Sequence, residues 1–272
     1  MTSADEYRLL GVTAADRADI ENLDVDEAAV GEFAATLRRL LGTFPGERDL
    51  QVPTDPHVSL VAFLATLPDV RRYHQGRGIS DKISWATLAD LGRQLGKHRR
   101  IDGQFGLRTH WWMCTHWTGV IYQLGRLQYL IHQPARPVPG VEPEEWVLGL
   151  HIPEAGPLMP ELVDESLAQA KAFFTRHFPE RPVRIATLRS WLLDPYLLDT
   201  LPPESNIVRF GRRFTPYGEA TDGQKDAVYF IFHTRSMQNL DRLPRDTTLR
   251  RLVLNRMADG GIPQNASGYL IL

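Results

Sequence analysis

The segment Arg189 to Phe214 reads RSWLLDPYLLDTLPPESNIVRFGRRF, and we predict the fold outward from it. It joins an apolar run ending at Leu193 to a second strand-like run, Ile207 to Phe214. Asp194-Pro195, a short apolar helix and a turn over 201–206 separate the two runs. Two strands joined by a short helix, with polar residues at the connections, are typical of a site at strand ends.

The composition is that of an ordinary globular protein, with 272 residues, 43% of them hydrophobic and 24% charged. This length favours two domains. The formal net charge of -2 gives no indication of nucleic acid or an anionic membrane as partner. The N-terminus lacks a secretory signal pattern, and no apolar run approaches the ~20 residues that span a bilayer. We therefore expect a cytoplasmic protein.

The single cysteine, Cys114, excludes an internal disulfide framework and a multi-thiolate zinc site. His110 and His116 flank it, which raises the alternatives of a metal ligand or a nucleophile. We favour a small buried thiol packed among neighbouring tryptophans. No metal is expected.

Residues 1–118 are predicted to form a helical domain. Helices are expected over 26–41, over 57–67 with Pro68 closing it, and after Ser80 as N-cap, and 46–56 is predicted to be a loop. The basic cluster 97–100 is interpreted as complementing a helix C-terminus rather than binding an anion.

Residues 119–272 are predicted to form a second domain, because strand-forming patterns begin near Gly119. The predicted strands are 121–132, 146–152, 183–191, 207–214, 227–233 and 269–272. Helices are expected from Pro160 and from a cap at Asp246. Helices mixed among paired strands give an α+β layer fold.

Several phrases, in the same order, resemble a bacterial family of two-domain acyltransferases common in actinobacteria. That family has an N-terminal helical acyltransferase domain and a GNAT-like C-terminal domain. The phrases are Gly78-Ile79, Trp85 through Gly92, Leu124 through Tyr129, His151-Ile152-Pro153-Glu154, Ser190 through Pro195, Ser205-Asn206-Ile207, Arg209-Phe210 and Asp246-Thr247.

The resemblance implies a donor thioester, acyl-CoA above all, bound between two parallel strands that splay apart. It implies that 146–152 is the donor strand, pairing through Leu150 and Ile152, and that 183–191 is the strand that splays away. The pyrophosphate would lie on backbone N–H groups where helix 161–178 begins, with Gly156 and Leu158 in the preceding loop.

The loop 151–160 departs from the Gln/Arg-x-x-Gly-x-Gly/Ala pattern of that superfamily. It has one glycine and three prolines, and each proline removes a donor. Gln123-Leu-Gly-Arg126 does not replace the pattern, because it lies inside a predicted strand. A carrier-protein thioester, an aminoacyl-tRNA donor and a non-catalytic binding role therefore stay open.

The candidate catalytic residues lie at the predicted strand ends. His151 is interpreted as general base, and Glu154 as its orienting group or as a base acting through water. The Ser190 hydroxyl is a candidate for protonating the departing thiolate, and the resemblance suggests Tyr196 as an alternative acid. For each, a structural role is the competing interpretation.

The candidate substrate-binding residues are Trp191, Ser205, Asn206 and Arg209. Trp191 also suits core packing, and Ser205 and Asn206 suit a turn. Arg209, predicted to share a strand face with Arg213, is a candidate for binding a carboxylate or phosphate, with a cross-strand salt bridge as alternative.

No Gly-x-Ser-x-Gly elbow is present, and Cys114 has no defined base. The leading hypothesis is therefore acyl transfer to a small-molecule amine by direct attack, in a site between the domains. The sequence leaves acyl chain length, acceptor identity and oligomeric state open.

Overall fold

The computed structural model describes residues 2–44 and 50–272. The first part of the chain is helical: α1 (Ala4–Leu9), α2 (Ala14–Glu21), α3 (Glu27–Arg39), α4 (Pro56–Gly76), α5 (Asp81–Leu88), α6 (Asp90–Asp102) and α7 (His110–Trp117). Of the predicted loop over 46–56, residues 46–49 lie outside the described residues, and the segment 50–55 leads into α4 without helix or strand.

Side-chain caps begin these helices, and the cap at Ser80 is the one that the sequence predicts. The Asp26 carboxylate accepts from the N–H groups of Ala28 and Ala29 at the start of α3. The Ser80 hydroxyl accepts from Ile83 at the start of α5. Pro68, however, does not end a helix. It lies inside α4, whose buried residues continue beyond it to Val70 and His74, so core packing outweighs the lost hydrogen bond.

The second part contains strands and helices in alternation. The strands are β1 (Ile121–Leu124), β2 (Leu127–His132), β3 (Trp146–His151), β4 (Val183–Ser190), β5 (Thr215–Asp222) and β6 (Gln264–Ile271), and the helices are α8 (Pro160–His177), α9 (Pro195–Thr200), α10 (Asn206–Gly211), α11 (Gln224–Phe232) and α12 (Thr248–Ala258). Short 3-10 helices cover Trp191–Leu193 and Leu240–Arg242.

These strands form one six-stranded sheet in the order β1-β2-β3-β4-β6-β5. β3 and β4 run parallel, and the other neighbours are antiparallel. The predicted α+β class, a helical part followed by a mixed sheet with flanking helices, is confirmed.

Two predicted strands are helices. The segment 207–214 contains α10 and then a turn, so Arg209 and Arg213 share no strand face. The segment 227–233 belongs to α11, in which Ala227, Val228, Ile231 and Phe232 are buried at helical spacing. Their β-branched and aromatic side chains suggested strands, but packing against α12 in a shared cluster selects the helical face.

Three further predictions were wrong in detail. The predicted strand 121–132 is the hairpin β1–β2, turned at Gly125 and Arg126, with Gly125 at φ 62°. Thr247, not Asp246, caps α12, and Asp246 instead binds Arg250. β5 was missed because TPYGEATD contains proline and glycine, which an edge strand tolerates.

α8 covers one face of the sheet. Leu148 and Leu150 of β3 share a buried cluster with Phe173 and Phe174 of α8. Val147 points to the other face and packs with Val138 and Ile185. The predicted alternation of β3 is therefore confirmed.

The two halves meet along β1. The backbone N–H of Gln123 donates to Thr87 of α5 at 2.9 Å. The ring of His74 on α4 lies 5.3 Å from the ring of Tyr122 on β1. Arg77 donates to the carbonyl of His177 at 2.9 Å, which ties α4 to the end of α8.

None of the described helices combines the length and apolar character needed to cross a membrane.

Burial of His74 predicts acid sensitivity. Desolvation, with Arg71 and His116 nearby, lowers the pKa of His74 to about 3. Between that value and the ordinary pKa of ~6.5 the unfolded state binds more protons, so stability falls as pH falls through this window. We expect a loss of about 3 kcal/mol from His74 between pH 7 and 4.5, measured by urea unfolding.

His74→Asn is the matched variant, because its amide can keep a hydrogen bond to Ser84, 2.7 Å from His74 Nδ1, and does not titrate. The free energy of unfolding of this variant should depend less steeply on pH. An equally steep dependence would show that His74 is not responsible.

Candidate active site

β3 and β4 part before they end. Their parallel pairing runs through Leu148–Ala186 and ends at Gly149–Thr187. β4 continues beside β6 as far as Ser190 paired with Ala266. The carboxyl end of β3 is therefore left without its parallel neighbour, and a wedge opens between 150–152 and 188–190.

His151 lies at the mouth of this wedge. Its ring centroid is 4.5 Å from that of Trp112 on α7. A Cβ at Gly149 would lie 3.1 Å from His132 Nε2 and 3.6 Å from His151 Nε2, so both imidazoles close over this glycine. Glycine at 149 therefore makes room for two histidines on one sheet face.

His151 is neutral at ordinary pH. Desolvation, together with the neighbouring His116 and His132, lowers its pKa to about 3, and Asp90 opposes this shift. Within the described residues no group hydrogen-bonds to the His151 ring. The ring is therefore held by packing, and its nitrogens stay available to a ligand.

A buried polar group supports this face of the sheet from below. His116 Nε2 lies 3.4 Å from Asp90 Oδ2 and 3.5 Å from Gln128 Nε2, and all three residues are almost fully buried. Gln128 is the cross-strand partner of His151. Arg93 Nε donates to Asp90 Oδ1 at 2.8 Å. The helical half thus places fixed charge and dipoles beside β3.

The loop after β3 leads directly into α8. Pro153 ends the strand, Gly156 is exposed at φ 91°, and Leu158 is buried in the core. α8 has no side-chain cap, and Pro160 occupies its first turn. Leu150 and Leu158 are buried in the core and Ile152 packs against it, so of the four predicted donor-binding residues only Gly156 is exposed.

Glu154 turns away from His151. Its carboxylate accepts from Arg100 Nη2 at 2.8 Å and lies 4.0 Å from His233 Nε2. The expectation that Glu154 orients His151 is therefore wrong. Its ion pair ties the loop to Arg100, which lies in the last turn of α6 as predicted and so makes a tertiary contact from that helix end.

Ser190 and Trp191 follow the splayed end of β4. The Ser190 hydroxyl accepts from Leu192 N–H at 3.1 Å, which leaves its own hydrogen free to donate. Trp191 is half-buried between the sheet core and the cluster around α9, α11 and α12. Tyr196 packs under the guanidinium of Arg256, 4.3 Å from its ring centroid, on the α12 side.

Ser205 and Asn206 begin a helix, not a strand. The Ser205 hydroxyl accepts from Val208 N–H at 3.3 Å as the N-cap of α10. Asn206 Nδ2 lies 3.3 Å from Met159 Sδ, which places Asn206 beside the start of α8. Arg209 is exposed on α10, and Arg213 binds Asp164 of α8.

Cys114 is the predicted buried thiol. Burial raises its pKa to about 12, and its Sγ lies 3.4 Å from the carbonyl of His110. The thiolate needed for nucleophilic attack is therefore not formed near neutral pH. Among residues 2–44 and 50–272, no group of three His, Cys, Asp or Glu side chains is arranged to hold a metal ion.

A cavity of about 730 Å³ lies elsewhere, between α3 and residues 51–55 of the helical half. None of the candidate site residues lines it. The strand wedge remains the better candidate, because polar groups from both halves converge on it.

Sequence reasoning missed Trp112, His116, Gln128 and Asp90. The tryptophans and His116 were considered only as neighbours of Cys114, and Asp90 and Gln128 only as members of the phrases that carry the resemblance. The register of β2 against β3 would have identified Gln128 as a neighbour of the site, because Gln128 lies opposite His151 in that pairing.

A sheet whose parallel pair parts, followed by an uncapped helix start, defines the GNAT-like class of acyl-transfer domain. The family model of the GNAT-like C-terminal domain matches residues 121–270, and that of the N-acyltransferase N-terminal domain matches residues 1–119. No curated protein sequence matches the chain.

Solved structures give the same result. The chain is 33% identical to an acyltransferase solved with decanoyl-CoA and teicoplanin, with a TM-score of 0.88 over 98% of this chain and 87% of the other. A mutant acyltransferase with octanoyl-CoA gives a TM-score of 0.89 with the same identity and coverage. One with CoA and 10C-teicoplanin gives 0.86. The chain belongs to the two-domain N-acyltransferase family and is an N-acyltransferase.

Trp112 should control the basicity of His151. Trp112→Ala would admit water to the imidazole, and since desolvation is the largest cause of its low pKa, that pKa should rise by at least one unit. NMR titration of the protein with isotope-labelled histidine measures the pKa of His151 in the variant and in the wild type.

Trp111→Ala is the matched control, since Trp111 is adjacent and 60% exposed. It should leave the His151 titration unchanged. Equal shifts in both variants would mean that general loosening, not removal of the stacked ring, causes the change.

Proposed function

We propose that this enzyme transfers an acyl group from acyl-CoA to the amine of a small molecule by direct attack. The observation that carries the proposal is the parting of β3 from β4 with an uncommitted, neutral His151 at the opening. A strand wedge offers backbone groups to the donor, and an imidazole beside it offers a proton acceptor.

The donor assignment is supported by the solved relatives, which were crystallised with octanoyl-CoA, decanoyl-CoA and CoA. In this chain the pantetheine would pair with the free edge of β3 at Leu150 and Ile152. The pyrophosphate would lie over the loop at Gly156 and Leu158, at the start of α8. A carrier-protein or tRNA donor has no corresponding support.

Direct attack requires both substrates in the site together. One relative was solved with decanoyl-CoA and teicoplanin in the same complex, which is the arrangement that such a reaction needs. We place the acceptor between the domains 1–118 and 119–272, where Trp112 of α7 faces His151 of β3. Trp191, Asn206 and Arg209 are proposed to contact the substrates along the other side of the wedge.

His151 is proposed as general base. Attack forms the C–N bond and leaves a positive charge on the nitrogen of the tetrahedral intermediate, which makes its N–H more acidic than that of the free ammonium ion, and His151 is proposed to accept that proton. The C–S bond then breaks, and Ser190 is proposed to donate a proton to the departing thiolate. Ser190 then regains a proton from solvent as His151 releases the amine proton to solvent. Tyr196, which packs against Arg256, is left to a structural role. A backbone N–H beside the wedge would stabilise the oxyanion.

Donor binding should be detectable without turnover. CoA at about a hundred times its dissociation constant stabilises a native protein by ~2.7 kcal/mol, which shifts the thermal midpoint by a few degrees. We expect such a shift with CoA and a larger one with decanoyl-CoA at equal concentration. No shift with CoA, acetyl-CoA or decanoyl-CoA would rule out a free CoA donor.

His151→Ala should lower kcat by about 10²- to 10⁴-fold with little change in the KM for acyl-CoA. Both constants are measured from the rate of thiol release from acyl-CoA in the presence of a panel of amine acceptors. Because the pKa of His151 is about 3, the wild-type rate should show no acid limb near pH 6.5 from this residue.

His132→Ala is the matched control, since His132 lies on the same sheet face and also meets Gly149. It should keep activity within about threefold, because one general base of the expected strength accounts for the proton transfer. Equal loss in both variants would contradict the assignment of the base to His151.

A further inference from the structure

Arg126 cross-links the loop between β3 and α8 from beneath. It occupies the turn of the β1–β2 hairpin and is only 9% exposed. Its guanidinium donates to three loop carbonyls: Nη1 to Pro153 and Nε to Pro157, both at 3.0 Å, and Nη2 to Gly156 at 2.5 Å. One side chain therefore fixes the course of the whole loop.

The charge of Arg126 is not neutralised by a carboxylate within the described parts of the chain. Other arginines of this half have such partners: Arg256 binds Asp194, and Arg213 binds Asp164. Glu154, in the same loop, is turned outward to Arg100. A buried cation without a counter-charge is costly, so an anion that arrives with a ligand would be favoured here.

The hydrogen bonds of Arg126 also set the direction of the loop N–H groups. In a trans peptide the carbonyl and the N–H point in opposite directions. The carbonyls of Pro153 and Pro157 point at the guanidinium, so the N–H groups of Glu154 and Leu158 point away from it. No described residue accepts from either group.

Three more N–H groups continue this row. Met159, Glu161 and Leu162 have no acceptor for their N–H among residues 2–44 and 50–272, whereas Val163 already donates to Met159 at 3.0 Å. The loop therefore keeps a row of free donors despite its three prolines.

We propose that Arg126 is a positioning residue for the donor's pyrophosphate. It holds the loop carbonyls inward, so that the free N–H groups of Glu154 and Leu158, with those of Met159, Glu161 and Leu162 at the start of α8, face the phosphate oxygens. It also supplies the positive charge beneath them. This inference rests on the proposed acyl-CoA donor. It explains how a loop with a single glycine can bind a pyrophosphate, because the arginine imposes the conformation that glycines permit elsewhere.

The test compares donors with and without a pyrophosphate. Arg126→Gln should raise the KM for decanoyl-CoA at least tenfold and leave kcat within about twofold. With the decanoyl thioester of N-acetylcysteamine, which lacks pyrophosphate and nucleotide, kcat/KM should stay within about twofold of wild type. Arg126→Lys keeps the positive charge but loses the guanidinium that donates to three carbonyls. Its KM for decanoyl-CoA should lie between those of the wild type and Arg126→Gln.

The matched control is Arg77→Gln, because Arg77 also donates to a backbone carbonyl, at the opposite end of α8. It should leave the KM for decanoyl-CoA unchanged. If Arg126→Gln does not fold, as judged by circular dichroism, the Lys variant decides: an unchanged KM overturns the inference and a raised one supports it.

Other outcomes separate this inference from the proposed function. Equal losses with both donors, or no change with either, would overturn the role of Arg126 while wild-type binding of CoA leaves the donor assignment intact. A wild-type enzyme that binds no CoA would overturn both.

Discussion

The site depends on the unequal lengths over which β4 pairs with its two neighbouring strands. β6 pairs with β4 along six residues up to Ser190, whereas β3 pairs with it only as far as Thr187. Because backbone groups must be satisfied somewhere, a strand end that loses its neighbour offers N–H and C=O groups to a ligand. The 3-10 helix at Trp191, α9 and α10 follow β4 in the chain, beyond the point where it has parted from β3.

The helical half provides the surroundings of His151, whereas the free backbone edge proposed to bind the donor belongs to β3. Trp112 covers the His151 ring, and Asp90, His116 and Gln128 form the buried polar group beside it. Both halves act on the pKa of His151, since His132 on the sheet and His116 on α7 each lower it in addition to desolvation. The two halves therefore define the chemistry of this histidine together, and the hydrogen bond from Gln123 to Thr87 is one of the contacts that join them.

Arg126 shows how a family pattern can be lost while its geometry is kept. The loop from Pro153 to Pro160 lacks the glycines expected of a pyrophosphate loop, yet its carbonyls are held inward by one guanidinium. The phrase from Leu124 to Tyr129 was recognised as part of the resemblance, but the structural role of Arg126 within it was not. Interpreted as mid-strand, Arg126 seemed unrelated to a loop some thirty residues further along the chain.

The sequence by itself determined the α+β class, the two-part organisation, the alternation of β3, the cap at Ser80, the buried state of Cys114 and the family. These are local signals: periodicity, capping chemistry and short phrases depend on near neighbours in the chain. Only the tertiary structure decided that 207–211 and 224–232 are helices, since packing of Ile231 and Phe232 against α12 overrides β-forming side chains. It alone brought His151 to Trp112 and Arg126 to the loop, because contacts between residues about 30 to 40 positions apart leave no periodic trace in one sequence.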